Sequence, residues 1–143
     1  MREIKFRAWD KSNKKMFYGC TGFEFEGDGC VYLNVIQADF GASHEPIIEQ
    51  YTGLKDRNGK DIYEGDVIQT YFSFSPGDAG YGVSQSPFVV KWDHKRVAYR
   101  AKKPKTKGLH LLDVVDFFQA QSNLYEAIGN IHESPELLEA TTP

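Results

Sequence analysis

Hydrophobic and polar positions alternate over residues 2–9, with Ile4, Phe6 and Ala8 on one side and Lys5, Arg7 and Trp9 on the other. A period of two over such a run predicts a first strand. The turn DKSNKK follows, and Met16-Phe17-Tyr18 opens a second strand that pairs back on the first. Thr21 to Glu26 and Cys30 to Ile36 flank EGDG, which predicts a second hairpin with Phe23, Phe25, Val31, Leu33 and Val35 as its apolar positions. Gln37 to Pro46 reads as a loop or a single helical turn, and no internal repeat emerges.

The stretch QYTGLKDRNGKDIYEGDVIQTYF, from Gln50 to Phe72, carries the densest punctuation. Ile47 to Leu54 is extended, and Asp56-Arg57-Asn58-Gly59 is a turn in which Asn-Gly supplies two residues tolerant of positive φ. Lys60 to Tyr63 returns. Glu64-Gly65-Asp66 then forces a second bend, and Val67 to Phe74 leaves it as a long strand. Two tight turns before a long strand are how small barrels are cornered. Asp66 is placed to accept backbone N–H groups around that corner. Asp56, Asp61, Glu64 and Asp66 therefore read as turn and solvated residues rather than as a catalytic carboxylate pair.

Ser75 to Ser86 (SPGDAGYGVSQS) reads as a long loop, and Pro87 to Trp92 as another strand. A lysine-rich loop over 95–107 follows, interrupted by Pro104. Residues 113–119 read as a short helix with Asp113 at its N-cap, and Leu124 to Ile131 as the last strand. Ser134, Pro135 and Glu136 have the N-cap, N1 and first-turn chemistry of a short closing helix. These elements predict a mainly β fold: a small, strongly bent barrel, SH3-like in the favoured version, with N-terminal β-hairpins and a short C-terminal helix. Residues 1–143 form a single domain, divided into an N-terminal hairpin part (1–46) and a barrel-like core with the helix (47–143). The expected core is Ile4, Phe6, Phe17, Val31, Leu33, Leu54, Ile62, Val67, Ile68, Val89, Val90, Phe117, Ile128 and Ile131.

Composition agrees. The chain of 143 residues is long enough to bury a core, and its 13 glycines and 14% aromatic content suit β structure. Cys20 and Cys30 do not face each other across the predicted hairpin, so they read as free packed thiols with no disulfide and no metal site. No apolar run approaches the roughly 20 residues needed to span a bilayer, and the first residues lack a secretory h-region. The cytoplasm is the expected location, with no membrane partner.

Charge changes the picture in one place. Residues 95–107, KRVAYRAKKPKTK, hold seven of the 17 basic residues and no acidic ones, on a body that is otherwise acidic. Lys95, Arg96, Arg100, Lys102, Lys103, Lys105 and Lys107, with Tyr99 among them and Trp92 nearby, have the ingredients of a nucleic-acid or partner-binding surface. The bland alternative is a solvated loop. His44, His94, His110 and His132 are scattered over four elements and read as solvated or capping groups. No G-x-S-x-G, H-E-x-x-H or phosphate-loop spacing occurs, so no catalytic residue, cofactor or enzymatic activity is expected.

Three blocks, MREIKFRAWDKSNKKM, QYTGLKDRNGKDIYEGDVI and YEAIGNIHESPELLE, occur in an order and spacing that resemble the YopX family of small phage and prophage proteins. The resemblance spans nearly the whole chain. It implies a β-rich protein of the bacterial host cytoplasm, with oligomeric assembly and no established biochemical activity, and it supplies no catalytic residues. It makes Gly53, Gly59, Gly65, Asp66, Gly129, Asn130 and Pro135 framework positions. Two functions follow as expectations. One is a non-enzymatic phage accessory protein acting through self-assembly or contact with a host or phage protein. The alternative is a small nucleic-acid-binding module using residues 95–107.

Overall fold

The computed structural model describes residues 3–20, 22–25, 31–34, 46–73, 81–83, 87–95, 98–102, 114–116 and 125–139. Twelve strands make up almost all of the regular structure there: β1 (Phe6–Asp10), β2 (Lys15–Cys20), β3 (Gly22–Phe25), β4 (Val31–Asn34), β5 (Ile47–Lys55), β6 (Asp61–Tyr63), β7 (Asp66–Ser73), β8 (Tyr81–Val83), β9 (Phe88–Asp93), β10 (Ala98–Lys102), β11 (Val114–Asp116) and β12 (Tyr125–Asn130). A 3-10 helix, Pro135–Leu138, follows β12. The fold is mainly β, as the alternation predicts.

One sheet has the order β2-β1-β5-β6. A second runs β11-β10-β9-β7-β12, with β8 also on β7, and curls into a half-barrel. β3 and β4 form a separate hairpin, Phe25 opposite Val31. The β9 run Phe88-Val89-Val90 is continuously apolar because it lies between β10 and β7, where both faces are covered. Its residues join Ile62, Ile68, Tyr99, Ala101 and Tyr125 in the core.

Several expectations need correction. Ile4 and Ile128 are not core: they are 64% and 38% exposed. Ile4 precedes β1, and Ile128 sits where the β12–β7 register shifts between Ala127 and Gly129, so the bulge turns it outward. Ile62, Val67, Ile68, Val89 and Val90 are buried as expected, while Phe6, Phe17, Leu54 and Ile131 are half-buried. Val31 and Leu33 lie in β4, and Phe117 falls outside the described residues. Val114–Asp116 is a strand, not the start of a helix, since it pairs with β10 and its two valines suit a ladder. Asp113 lies outside the described residues. The two expected loops are each interrupted by a strand, Tyr81–Val83 on β7 and Ala98–Lys102 between β9 and β11.

The turns also differ in detail. Only Gly59 of Asn58-Gly59 has positive φ, at 81°; within the β5–β6 connection the Asp56 N–H donates to the Lys60 carbonyl, leaving the loop Arg57-Asn58-Gly59 closed by one left-handed glycine. The closing helix has Pro135 in its first turn as expected, but the Ser134 side chain makes no cap. Asn130 caps the turn before the helix: its Oδ1 accepts from the His132 and Glu133 N–H groups at 3.0 and 2.9 Å. Cys20 lies opposite Phe6 across β1–β2, and Cys30 is outside the described residues.

Candidate functional site

The alternation in β1 predicts that Arg7 faces water. It does the reverse. Arg7 is 2% exposed, because β1 is flanked by β2 and β5 and covered on both faces. Register brings Glu49 of β5 directly opposite, and the Arg7 Nε donates to Glu49 Oε2 at 2.7 Å. Nη1 donates to Asp66 Oδ1 at 2.6 Å and Nη2 to the Glu64 carbonyl at 3.0 Å. One guanidinium thus ties β1, β5 and the corner before β7. Burial alone would pull Arg7 down, but Asp66 and Glu49 hold it above the ordinary guanidinium value. Burial pushes the Asp66 carboxyl up, against the pull of Arg7 and of the Tyr63 N–H, which donates to Asp66 Oδ2 at 2.8 Å.

His132 completes the cluster from the far end of the chain. Its ring stacks on Trp9 at a centroid distance of 5.2 Å and an angle of 14°. Its Nε2 lies 2.9 Å from Glu49 Oε1, the oxygen that Arg7 leaves free. Trp9, read as standing on the polar side of β1, is 8% exposed. The histidine is neither solvated nor capping; it is the peg that fixes the segment after β12 to the first sheet.

Gly65 makes this convergence possible. Its φ is +82°, and a Cβ built there falls 2.0 Å from Glu49 Oε1, so a side chain would displace the carboxylate that His132 and Arg7 share. Its N–H donates to the Val90 carbonyl and its own carbonyl accepts from Ile131 N–H, each at 2.9 Å. The corner is therefore a node between the sheets. It needs glycine twice over, for backbone and for space.

Asp56 has a different task. Its Oδ1 accepts from the Asn58 and Lys60 N–H groups at 2.8 and 2.9 Å, and its Oδ2 from Ala127 N–H at 3.0 Å. The Arg57 N–H donates to the Tyr125 carbonyl at 2.9 Å. The β5–β6 turn thus caps the outer edge of β12 and protects it from pairing elsewhere. Burial opposes ionisation of Asp56, yet the three N–H groups hold its carboxyl below the usual range. Asp61 bridges Lys5 and Lys55 at 2.5 and 2.6 Å. Glu64 contributes its carbonyl to the cluster. The four acids are turn and ion-pair residues, as the sequence implies, but Asp56 and Asp66 are buried rather than solvated.

Two cavities flank the cluster. One, of about 380 Å³, is lined by Lys5, Arg7, Tyr18, Lys60, Asp61 and Tyr63. The other, of about 250 Å³, lies beyond Glu49 and Gly65 between Ile48, Val90 and Ile131. Tyr18 and Tyr63 meet edge to face at 6.1 Å, and the Arg7 guanidinium lies 4.9 Å over the Tyr63 ring. Among the described residues, no group of three His, Cys, Asp or Glu side chains is arranged to hold a metal.

The basic segment is only partly gathered. Tyr99 is 3% exposed and packs into the core, its ring 4.9 Å from that of half-buried Trp92, so neither ring stands free as a platform. Arg100 pairs with Asp93 at 3.5 Å, and Lys95 is exposed in the turn after β9. Lys102 closes β10. Arg96, Lys103, Lys105 and Lys107 lie outside the described residues, as do His44 and His110. His94 packs its ring against Trp92 at 6.5 Å. Residues 2–9 held one clue to the unforeseen cluster: a tryptophan on the polar side of β1 means that this side is covered.

A search of the curated proteins found no match. Among solved structures similar to this chain is protein EF1440 from Enterococcus faecalis, at 26% identity and a TM-score of 0.54 over 94% of this chain and 97% of that one. The family model of the YopX protein matches residues 5–139, from the lysine beside Arg7 to the end of the closing 3-10 turn, and the chain belongs to the YopX family.

Proposed function

We propose that this YopX-family protein is a phage or prophage accessory protein of the bacterial cytoplasm that acts without catalysis, through protein contacts, self-assembly foremost. The observation that carries this reading is the division of its side chains. The groups able to do chemistry, Arg7, Glu49, Asp66 and His132, are engaged with one another inside. Large apolar groups face outward on the four-stranded sheet: Tyr18, on its outermost strand β2, is 53% exposed, and Ile4, leading into β1, is 64% exposed. Large apolar side chains left at a sheet margin favour a partner surface over water. In a homo-oligomer these residues would meet the same surface of a second copy across a two-fold axis.

Light scattering after size exclusion, over a hundredfold concentration range, tests the reading. The expected result is a mass that rises to a discrete oligomer and returns to the monomer in Ile4→Glu and Tyr18→Glu. A strict monomer throughout, or an oligomer that neither substitution weakens, would overturn it. The nucleic-acid alternative gains no support from Tyr99 and Trp92, which leaves charge alone to carry it. No molecular helix in the described residues is long and apolar enough to cross a membrane.

A further inference from the structure

We infer that the cavity between Tyr18 and Tyr63 is a binding site for a small aromatic carboxylate. Its volume of about 380 Å³ suits a small ligand, and its walls are two tyrosine rings set edge to face. Arg7 lines it while almost wholly hidden from water, and the five N–H groups of its guanidinium outnumber its bonds to Glu49, Asp66, the Glu64 carbonyl and Tyr18. A buried donor of that kind calls for an acceptor.

The charges in the lining set the ligand's charge. Arg7 is balanced by Glu49 and Asp66, and Lys5 by Asp61, which Lys55 also grips. Lys60 is exposed, and none of the described ion pairs uses its ammonium. A lysine that makes no direct ion pair, though it lies in the field of Asp56 and Asp66, leaves room beside the buried arginine for one negative charge. A carboxylate meets that condition, whereas a phosphate monoester brings ≈ −1.5 to −2 charges into a site whose other cations are already paired. Burial makes both Tyr18 and Tyr63 weaker acids than an ordinary phenol, so their hydroxyls stay protonated at neutral pH. The site shares Tyr18 with the contact role proposed above, but its test runs through Lys60, so the failure of one reading is distinguishable from the failure of the other.

Titration of the full chain with benzoate, followed by amide resonances, is the test. Benzoate is expected to shift the Gly19, Lys60 and Tyr63 signals with saturation, and benzyl alcohol, its uncharged analogue, is expected to leave them unmoved. Lys60→Gln, at an exposed position, should weaken benzoate roughly tenfold, the scale of one charge-assisted hydrogen bond, with an unchanged melting temperature. The inference fails if benzoate at about 10 mM, well above a millimolar Kd, shifts nothing. It also fails if benzyl alcohol binds as well, if Lys60→Gln binds equally, or if phenyl phosphate binds more tightly than benzoate.

Discussion

The Nε of Arg7 lies 2.7 Å from Glu49 Oε2, and both side chains are almost completely sealed from solvent. Asp66 sits 2.6 Å from the same guanidinium, equally sealed. Removing the cation leaves two carboxylates buried without their partner. Arg7→Met should therefore cost about 3–5 kcal/mol of unfolding free energy. Lys5→Met, which removes a more exposed pair with Asp61, should cost no more than about 1 kcal/mol. Urea unfolding of the two variants checks the contrast, and equal midpoints would show that the cluster is not what holds β1, β5 and the corner together.

Asp56 sets a pH dependence. Its folded carboxyl is held below the usual range, so ionised Asp56 contributes stability in full above about pH 4, the ordinary carboxylate value, and loses it as pH falls through the lower folded value. Asp56→Asn removes the ionised acceptor of three N–H groups and should cost about 1–3 kcal/mol at pH 7. The gap between wild type and variant should then shrink as pH falls below about 4, because wild type loses the same contribution. Asp61 also titrates below its usual range, but it does so in both proteins and drops out of the difference. A gap constant with pH would mean that Asp56 acts by shape alone.

Gly65 and Gly59 have nearly the same φ, +82° and +81°, in different surroundings. Nothing lies within 4 Å of a Cβ at Gly59, so Gly59→Ala should cost only the conformational penalty, about 1–2 kcal/mol. Gly65→Ala adds a collision with Glu49 and should cost at least about 2 kcal/mol more, in the range of overpacking a core. Gly65→Val should fail to fold or should aggregate. Melting temperatures of the two alanine variants decide the matter, and a common value would separate the corner from the charge cluster.

These contrasts mark what the sequence can express. Strands, turns and the need for glycine at residue 65 are local properties, and alternation and turn chemistry reveal them. The fate of Arg7 is not local, since Asp66 lies 59 positions away and Glu49 42. An arginine in an alternating strand looks the same whether its face meets water or another sheet. His132 was equally opaque, because its two partners, Trp9 and Glu49, come from the first sheet. Val114–Asp116 misled for the same reason: a short apolar run has no preferred state until β10 lies beside it. Ile128 shows the converse, an apolar residue that a one-residue bulge turns outward.

The docking of β12 against β7 and the Asp56 turn has a consequence for biosynthesis. Residues 56–73 leave the ribosome with both edges of β7 unpaired, the edge that takes β12 staying so longest, and with Asp56 lacking the Ala127 N–H it later receives. Roughly 50 more residues must be made before Tyr125–Asn130 arrives, about 3–10 s at ordinary rates of synthesis. During that interval the nascent chain shows a long unpaired strand edge to neighbouring chains, an opening for edge-to-edge pairing that the arrival of β12 closes.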